Sequence, residues 1–365
     1  MKCIFAIKRL ENAAGGAEKV LTTICSILAD KGYNIKIVTF DNPHSTPFYP
    51  LSIKVKLIEL GLGDPSKSLD IFKFLKCIAS LRKVLKSEKP DIVVGFMHSL
   101  YVPLTIAAIG TKIRVYGSEH ITIDHYKSRP IELLSIIITA PFIKKITVLS
   151  KNIGKKYPEI IRKRMIPIVN PIESPDIKAC TKLKSDRKII LNIGRLNEQK
   201  DHLTLISAFS NIAKIYPNWD LRIVGEGELR SMLENEIKKL LLEQRISLPG
   251  ITKTISYEYI NADIFVNSSV YEAFGLVTAE AMSYGLPVIG FADCPGTNEL
   301  IKNEENGILV EGGNNKVQNL SDMLIYLIND YKKRNKLGQL AKKYIDQNFS
   351  NQEVVCSWEK MLYNN

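Results

Sequence analysis

No CxxC pair occurs in the chain, although it contains six cysteines, Cys3, Cys25, Cys77, Cys180, Cys294 and Cys356. Histidine is scarce, five in 365 residues, and none clusters beside a cysteine. Scattered thiols without a second ligand type argue against a zinc site and a disulfide framework and fit a reducing cytosol. No DxD carboxylate pair is present, so one common acidic anchor for a divalent cation is missing. Long apolar runs are missing too. The greasiest, "ELLSIIITAPFI", is only about a dozen residues long, against the roughly 20 that a membrane-spanning helix needs. The opening "MKCIFAIKRL" is broken by Lys8 and Arg9 with no small-residue cleavage site after it, so no signal peptide is expected. No helix-turn-helix, zinc-finger or RNP pattern occurs, which sets nucleic acid aside as a partner. Short-period repeats and low-complexity tracts are absent as well.

What is present is a chain with 45% hydrophobic residues, enough for a well-buried soluble protein and too long for one ordinary core. Two domains are expected. The net charge of +12 is unevenly placed: residues 1–170 hold 27 Lys and Arg against 13 Asp and Glu, the remaining 195 hold 23 against 25. The positive excess therefore belongs to the first half and to whatever that half binds, an anionic lipid or a phosphate-bearing substrate.

Short β-rich runs alternate with helical patterns, the signature of parallel α/β architecture. "CIFAI", "NIKIVTF", "DIVVGF", "RVYGSEH" and "KITVLS" read as strands of a first series. "KIILNIG", "DLRIVGEG", "ISLPG", "DIFVNSS" and "PVIGF" form a second. Between them, "VNPIESPDIKACTKLKSDRK" has no clear period. The expected fold is two Rossmann-like doubly wound parallel-sheet domains facing a central cleft, residues 1–170 and 188–346, with a linker at 171–187. Ligands of such sheets bind beyond the carboxyl ends of the strands.

Three loops at such ends carry candidate chemistry. In "ENAAGGAEKV", Gly15 and Gly16 precede a helix, where close backbone approach and free N–H groups suit an anion; a plain turn with Glu18 in the first helical turn is the alternative. In "GRLNEQKD", Arg195 and Lys200 could clamp a diphosphate, or be a solvated pair. "VGEGE" lacks the third glycine of a dinucleotide fingerprint. In "YEAFGLVTAEAMSYG", Glu272 lies in the loop after a strand and Glu280 about a turn and a half into the next helix. The N–H groups of Phe274, Gly275 and Leu276 open that helix, ready for a phosphate. One carboxylate can then take ribose hydroxyls and the other a sugar beyond the phosphates, a span of one nucleotide-diphosphate sugar. Retaining hydrolysis by paired carboxylates would leave the phosphate-type loops unexplained.

Together "GGAEKV", "GRLNEQKDHLTLISAF", "VGEGELR", "EAFGLVTAEAMSYGLPVI" and "NGILV" resemble the retaining GT-B glycosyltransferases of family 4, in order and in spacing. The resemblance spans nearly the whole chain, including a C-terminal helix at 347–365 that crosses back to the first domain. It implies a nucleotide-sugar donor, of the UDP kind, held mainly by the second domain and an acceptor held mainly by the first, with no metal and no other cofactor. It implies Arg195 and Lys200 at the diphosphate, Glu280 at the ribose, and Glu272 with the Phe274–Leu276 amides at the sugar and phosphate. Lys200-Asp201 stands where Lys-Gly is usual, and Ala-Phe-Gly where Gly-Phe-Gly is. His120, in "GSEH" at the end of a strand, would touch the donor sugar and phosphate from the cleft, and His98, in "GFMHSLY", also reads as a strand end and is a second cleft candidate; a strand-end cap is the alternative for His120. "GGAE" and "SEH" resemble the subgroup that extends polyprenyl-diphosphate-linked saccharides for surface polysaccharides such as O-antigen or capsule. An anionic membrane surface is the matching partner, which places the protein at the inner face of the cell membrane. The segment "DIFKFLKCIASLRKVLKSEK", apolar at Ile71, Phe74, Leu75, Ile78, Leu81 and Leu85 and rimmed by lysines, reads either as a membrane-surface helix or as cover for the sheet. A nucleotide-sugar epimerase, an NAD-dependent oxidoreductase and a silent sugar-nucleotide sensor are the competing readings.

Overall fold

The computed structural model describes residues 1–63, 71–175 and 187–363. Most of the linker expected at 171–187 lies outside the described residues, as do Cys180 and Asp70. The chain divides into two compact units, Met1–Pro171 with Asn351–Asn365, and Ile172–Ser350.

The first unit is built on seven parallel strands: β1 (Lys2–Ala6), β2 (Asn34–Thr39), β3 (Lys56–Glu59), β4 (Ile92–Phe96), β5 (Arg114–Ser118), β6 (Lys145–Val148) and β7 (Met165–Pro167). Their order is β3-β2-β1-β4-β5-β6-β7. Period-two alternation sends successive residues to opposite layers. Cys3 and Phe5 of β1 and Ile92 and Val94 of β4 face one apolar cluster; Ile4, Ala6 and Val93 face the other. The first layer is closed by the helix Gly16–Asp30 and by the C-terminal helix Asn351–Tyr363, which supplies Val354, Val355, Trp358, Met361 and Leu362. The second is closed by the helices Ile71–Glu88 and His98–Ala108, through Cys77, Leu81, Val84, Leu85, Leu100 and Leu104. Covered on both faces, the strands need no polar side, which is why they read as continuous apolar runs.

The second unit holds six parallel strands: β8 (Lys188–Ile193), β9 (Trp219–Val224), β10 (Ile246–Gly250), β11 (Ile264–Asn267), β12 (Val288–Phe291) and β13 (Ile308–Val310). Their order is β10-β9-β8-β11-β12-β13. Both sheets are therefore doubly wound, with the winding reversing between β1 and β4 and between β8 and β11. The loops leaving neighbouring strands diverge at such a reversal and open a crevice. Each unit thus has one place where its fold favours a ligand.

The five described cysteines are unpaired. Among the described residues no helix is long and apolar enough to cross a membrane.

Candidate active site

In the second unit the loops leaving β8 and β11 meet at the reversal of winding. Gly194 N–H donates to Val224 O at 3.0 Å and Leu196 N–H to Glu226 O at 2.9 Å. That approach explains "VGEGE". A Cβ at Gly225 would lie 1.9 Å from Gly194 O, and one at Gly227 would lie 2.3 Å from Leu196 O. These glycines let two loops close on each other.

The β8 loop continues through a short 3-10 turn, Glu198–Lys200. Val270 N–H donates to Gln199 O at 2.8 Å and Ser268 Oγ to Lys200 O at 2.7 Å, which laces this turn to the β11 loop. Asp201 has φ +46°, the left-handed region where glycine is at ease and Asp is tolerated. Its carboxylate accepts from Thr204 N–H at 3.4 Å and Thr204 Oγ1 at 2.8 Å, capping the helix His202–Ala213. An aspartate can thus occupy a glycine's position here because it caps the next helix.

Lys200 Nζ pairs with Glu272 Oε1, which also accepts from Ser269 Oγ at 2.7 Å. Glu272 is buried, and its loop is clasped from below: its N–H donates to Pro295 O at 3.0 Å, and a Cβ at Gly296 would lie 2.5 Å from its carbonyl oxygen. Asn267, the last residue of β11, donates through Nδ2 to Thr278 Oγ1 at 2.9 Å and to Thr297 Oγ1 at 3.2 Å, tying strand to helix. Gly275 caps the helix Leu276–Ser283 at φ +82°, a conformation only glycine adopts without strain. Among the described residues the N–H groups of Phe274, Gly275 and Leu276 have no acceptor, which leaves the helix start open to an anion.

Glu280, five residues into that helix, is buried and accepts from Tyr259 Oη at 2.8 Å. Tyr259 comes from the helix Ile255–Asn261 and stacks on Tyr284 with ring centroids 5.1 Å apart. A phenol so fixed gives the carboxylate one orientation. Arg195 is exposed and, among the described residues, has no side-chain partner. The second unit therefore brings Lys200, Glu272, Glu280 and the open helix start onto neighbouring loops. Tyr259, Ser269, Asn267 and Thr297 complete that set, and no motif in the sequence marks them.

In the first unit, Gly15 caps the helix Gly16–Asp30. A Cβ there would lie 2.1 Å from Glu18 Oε2, so the chain's own carboxylate folds over the start of that helix. β5 ends at Ser118, and His120 lies just past it, with its Nε2 2.9 Å from Ser118 Oγ and its ring stacked on Phe96 at 5.1 Å. His98 corrects the reading of a strand end. Met97, at φ +67°, turns the chain sharply after β4, so His98 is the first residue of the helix His98–Ala108.

Beside these histidines runs a hydrogen-bonded chain of polar groups. Buried Glu119 accepts from Tyr101 Oη at 2.7 Å and Ile121 N–H at 3.1 Å, and its Oε2 lies 2.9 Å from Tyr126 Oη. Tyr126 Oη is also 2.8 Å from His98 Nδ1, and His98 Nε2 is 3.1 Å from Glu132 Oε2. One phenol proton can serve only one of its two neighbours. Full pairing needs either a protonated Glu119 donating to Tyr126 or an imidazolium at His98. Burial favours the first: it pushes the Glu119 carboxyl up to about 7 against the donors around it, and it pulls His98 down to about 4 against the pull of Glu132. Burial alone holds His120 at about 4.

Comparison with known proteins agrees with this architecture. The family model for glycosyltransferase family 4 matches residues 14–170 and that for glycosyl transferases group 1 matches residues 173–344. The chain is a glycosyltransferase of the GT-B fold. It is 27% identical over 365 residues to a Campylobacter jejuni α-1,4-N-acetyl-D-galactosaminyltransferase named for a GalNAc-GalNAc-diNAcBac-PP-undecaprenol acceptor, covering 99% of this chain and 98% of that one. It is 25% identical over 324 residues to an amylovoran biosynthesis glycosyltransferase of Erwinia amylovora, covering 87% of each. Among solved structures, sucrose-phosphate synthase from Thermosynechococcus elongatus superposes with a TM-score of 0.88 at 18% identity, covering 100% of this chain and 99% of that one. The Anabaena protein HepE, solved with UDP-glucose, gives 0.80 at 20% identity and covers 100% of both chains.

Proposed function

We propose that the protein transfers a hexosyl or N-acetylhexosaminyl group, with retention, from a UDP-linked donor to a polyprenyl-diphosphate-linked saccharide in surface polysaccharide synthesis. The observation that carries the acceptor class is the full-length similarity to the Campylobacter transferase, whose name specifies an undecaprenyl-diphosphate saccharide. The donor reading rests on the second unit: an open helix start and Lys200 for the diphosphate, Glu280 held by Tyr259 for the ribose, and Glu272 for the sugar. Arg195 is free to join the diphosphate from the loop before Lys200. The HepE structure with UDP-glucose supports the choice of nucleotide.

In this mechanism the acceptor hydroxyl attacks from the face the diphosphate leaves. A donor phosphate oxygen takes the proton, and the cations and amides stabilise the departing charge. Lys200 and the helix amides supply positive potential without a metal, so turnover is independent of divalent cations. His120 and, as the second candidate, His98 serve donor and acceptor, and the Gly15–Gly16 backbone opens to the donor once the Glu18 carboxylate lifts from it. The basic first unit meets the anionic inner face of the cell membrane. A thermal-stability screen against UDP- and GDP-sugars in EDTA tests the donor half. Stabilisation by a UDP-sugar and UDP is expected. Stabilisation by GDP-sugars alone, or only when a divalent cation replaces the EDTA, would overturn it.

A further inference from the structure

The helix Pro130–Thr139 buries Ile136 and Thr139 but turns three large apolar side chains outward. Ile131 is 72% exposed, Leu134 54% and Ile138 60%, and Phe142, in the turn that follows, is 66% exposed. Spacings of three and four residues put them in one line along the helix. Ile160, also exposed, lies on the short helix Glu159–Arg162, which flanks a depression lined by Pro141, Glu159, Ile160, Lys163 and Arg164. A contiguous apolar stripe of this kind is not ordinary surface.

Its surroundings say what kind of partner it fits. From residue 124 to 164 the chain has ten Lys and Arg against three Asp and Glu. Each of those acids already faces a base: Asp124 with Lys127, Glu132 with His98, His125 and Arg129, and Glu159 with Lys163. Lys144, Lys155, Lys156 and Arg162 are exposed. An apolar line framed by surplus positive charge matches a lipid surface with negative headgroups, into which such a line sinks by several ångströms. The helix Ile71–Glu88 offers a weaker case. Its Leu81 and Leu85 are spent on the sheet, and its first turn adjoins residues outside those described.

We propose that Ile131, Leu134, Ile138 and Phe142 insert at headgroup depth into an anionic membrane, with the surrounding lysines and arginines on the phosphates. This rests on the reading of the acceptor as lipid-linked, since it gives the basic unit a seat on the membrane that carries such an acceptor. The two contributions separate by salt. Charge attraction fades as the Debye length falls from about 10 Å at 0.1 M to about 3 Å at 1 M, whereas apolar insertion does not.

The test is co-sedimentation with vesicles of phosphatidylglycerol and phosphatidylcholine, at 0.1 M and 1 M salt, for the parent and for I131S/L134S/I138S/F142S. Thermal unfolding and UDP binding check that the variant is folded. The parent should bind at low salt and keep a residual fraction at 1 M. The variant should lose that residue and bind about tenfold or more weakly at 0.1 M. A folded variant that binds vesicles like the parent overturns the proposal, as does a parent that stays in solution at low salt. A parent dimer that the substitutions dissociate, with vesicle binding unchanged, also overturns it and assigns the stripe to a second copy. Activity on a polyprenyl-linked acceptor in detergent is the separate readout. If it is absent while vesicle binding behaves as stated, the acceptor reading fails and the docking face stands.

Discussion

Replacing Glu272 with Gln separates two roles that the ion pair with Lys200 joins. Gln keeps the size of the side chain and the hydrogen bond from Ser269, so the loop keeps its shape. The charge goes. Lys200 is released to the donor diphosphate, and the diphosphate no longer faces a carboxylate beside it. A like charge about 6 Å away costs on the order of 1–2 kcal/mol at an effective dielectric of about 30–50. UDP should therefore bind the variant as well as the parent or up to about tenfold more tightly. The sugar hydroxyl meanwhile loses a charged acceptor, worth about 1.5–3 kcal/mol, so transfer should slow by roughly 10- to 150-fold. Calorimetric titration with UDP and initial rates at saturating donor give the two numbers. Lys200→Gln is the counterpart and should weaken UDP without any gain. Equal losses of UDP affinity and turnover in Glu272→Gln would refute the assignment.

Glu280→Ala should weaken UDP by about 10-fold or more, because a ribose diol loses a charged partner. Tyr259→Phe, which removes only the hydroxyl that orients Glu280, should cause a smaller loss of the same sign; unchanged UDP affinity in both would remove Glu280 from the ribose. A third expectation concerns pH. His98 and His120 hold pKa values near 4 in the folded first unit and about 6.5 when unfolded, so stability present above 6.5 is lost as pH falls through that window. Glu119 acts oppositely, since its pKa of about 7 exceeds the unfolded value near 4.3. Its contribution is present below 4.3 and lost as pH rises through 7. Glu119→Gln should therefore steepen the acid loss near pH 5.5 by close to one proton, about 1.4 kcal/mol per pH unit. Trp219→Phe leaves Trp358 of the first unit as the reporter of denaturant unfolding. An unchanged slope would mean that Glu119 is ionised in the fold.

The legible parts of this molecule are those whose cause is local. β1, β4, β8 and β11 read as strands because both faces of each sheet are covered and their residues are largely apolar. Gly275 and the helix after it announce themselves by a glycine at the cap. β3, KLIE, escapes because half of its four residues are charged, and β7 and β13 because three residues are too few to show a period. His98 reads as a strand end because nothing in "GFMHSLY" reveals that Met97 takes a left-handed conformation. Tyr259 is hidden for another reason: it reaches Glu280 from a separate helix 21 residues upstream, a relation that only the fold creates. The exposed stripe on Pro130–Thr139 shows in the sequence only as a greasy run too short to span a membrane.

The measurement that bears most directly on the assigned function is transfer itself. The purified protein, in EDTA, is given a UDP-sugar and a polyprenyl-diphosphate-linked saccharide in anionic vesicles, and the product is examined by mass spectrometry and by the anomeric coupling in its NMR spectrum. The expected product is a lipid-linked saccharide longer by one α-linked sugar, formed without divalent metal. Transfer only to soluble sugars, a β-linked product, or turnover that appears only when manganese is restored would contradict it.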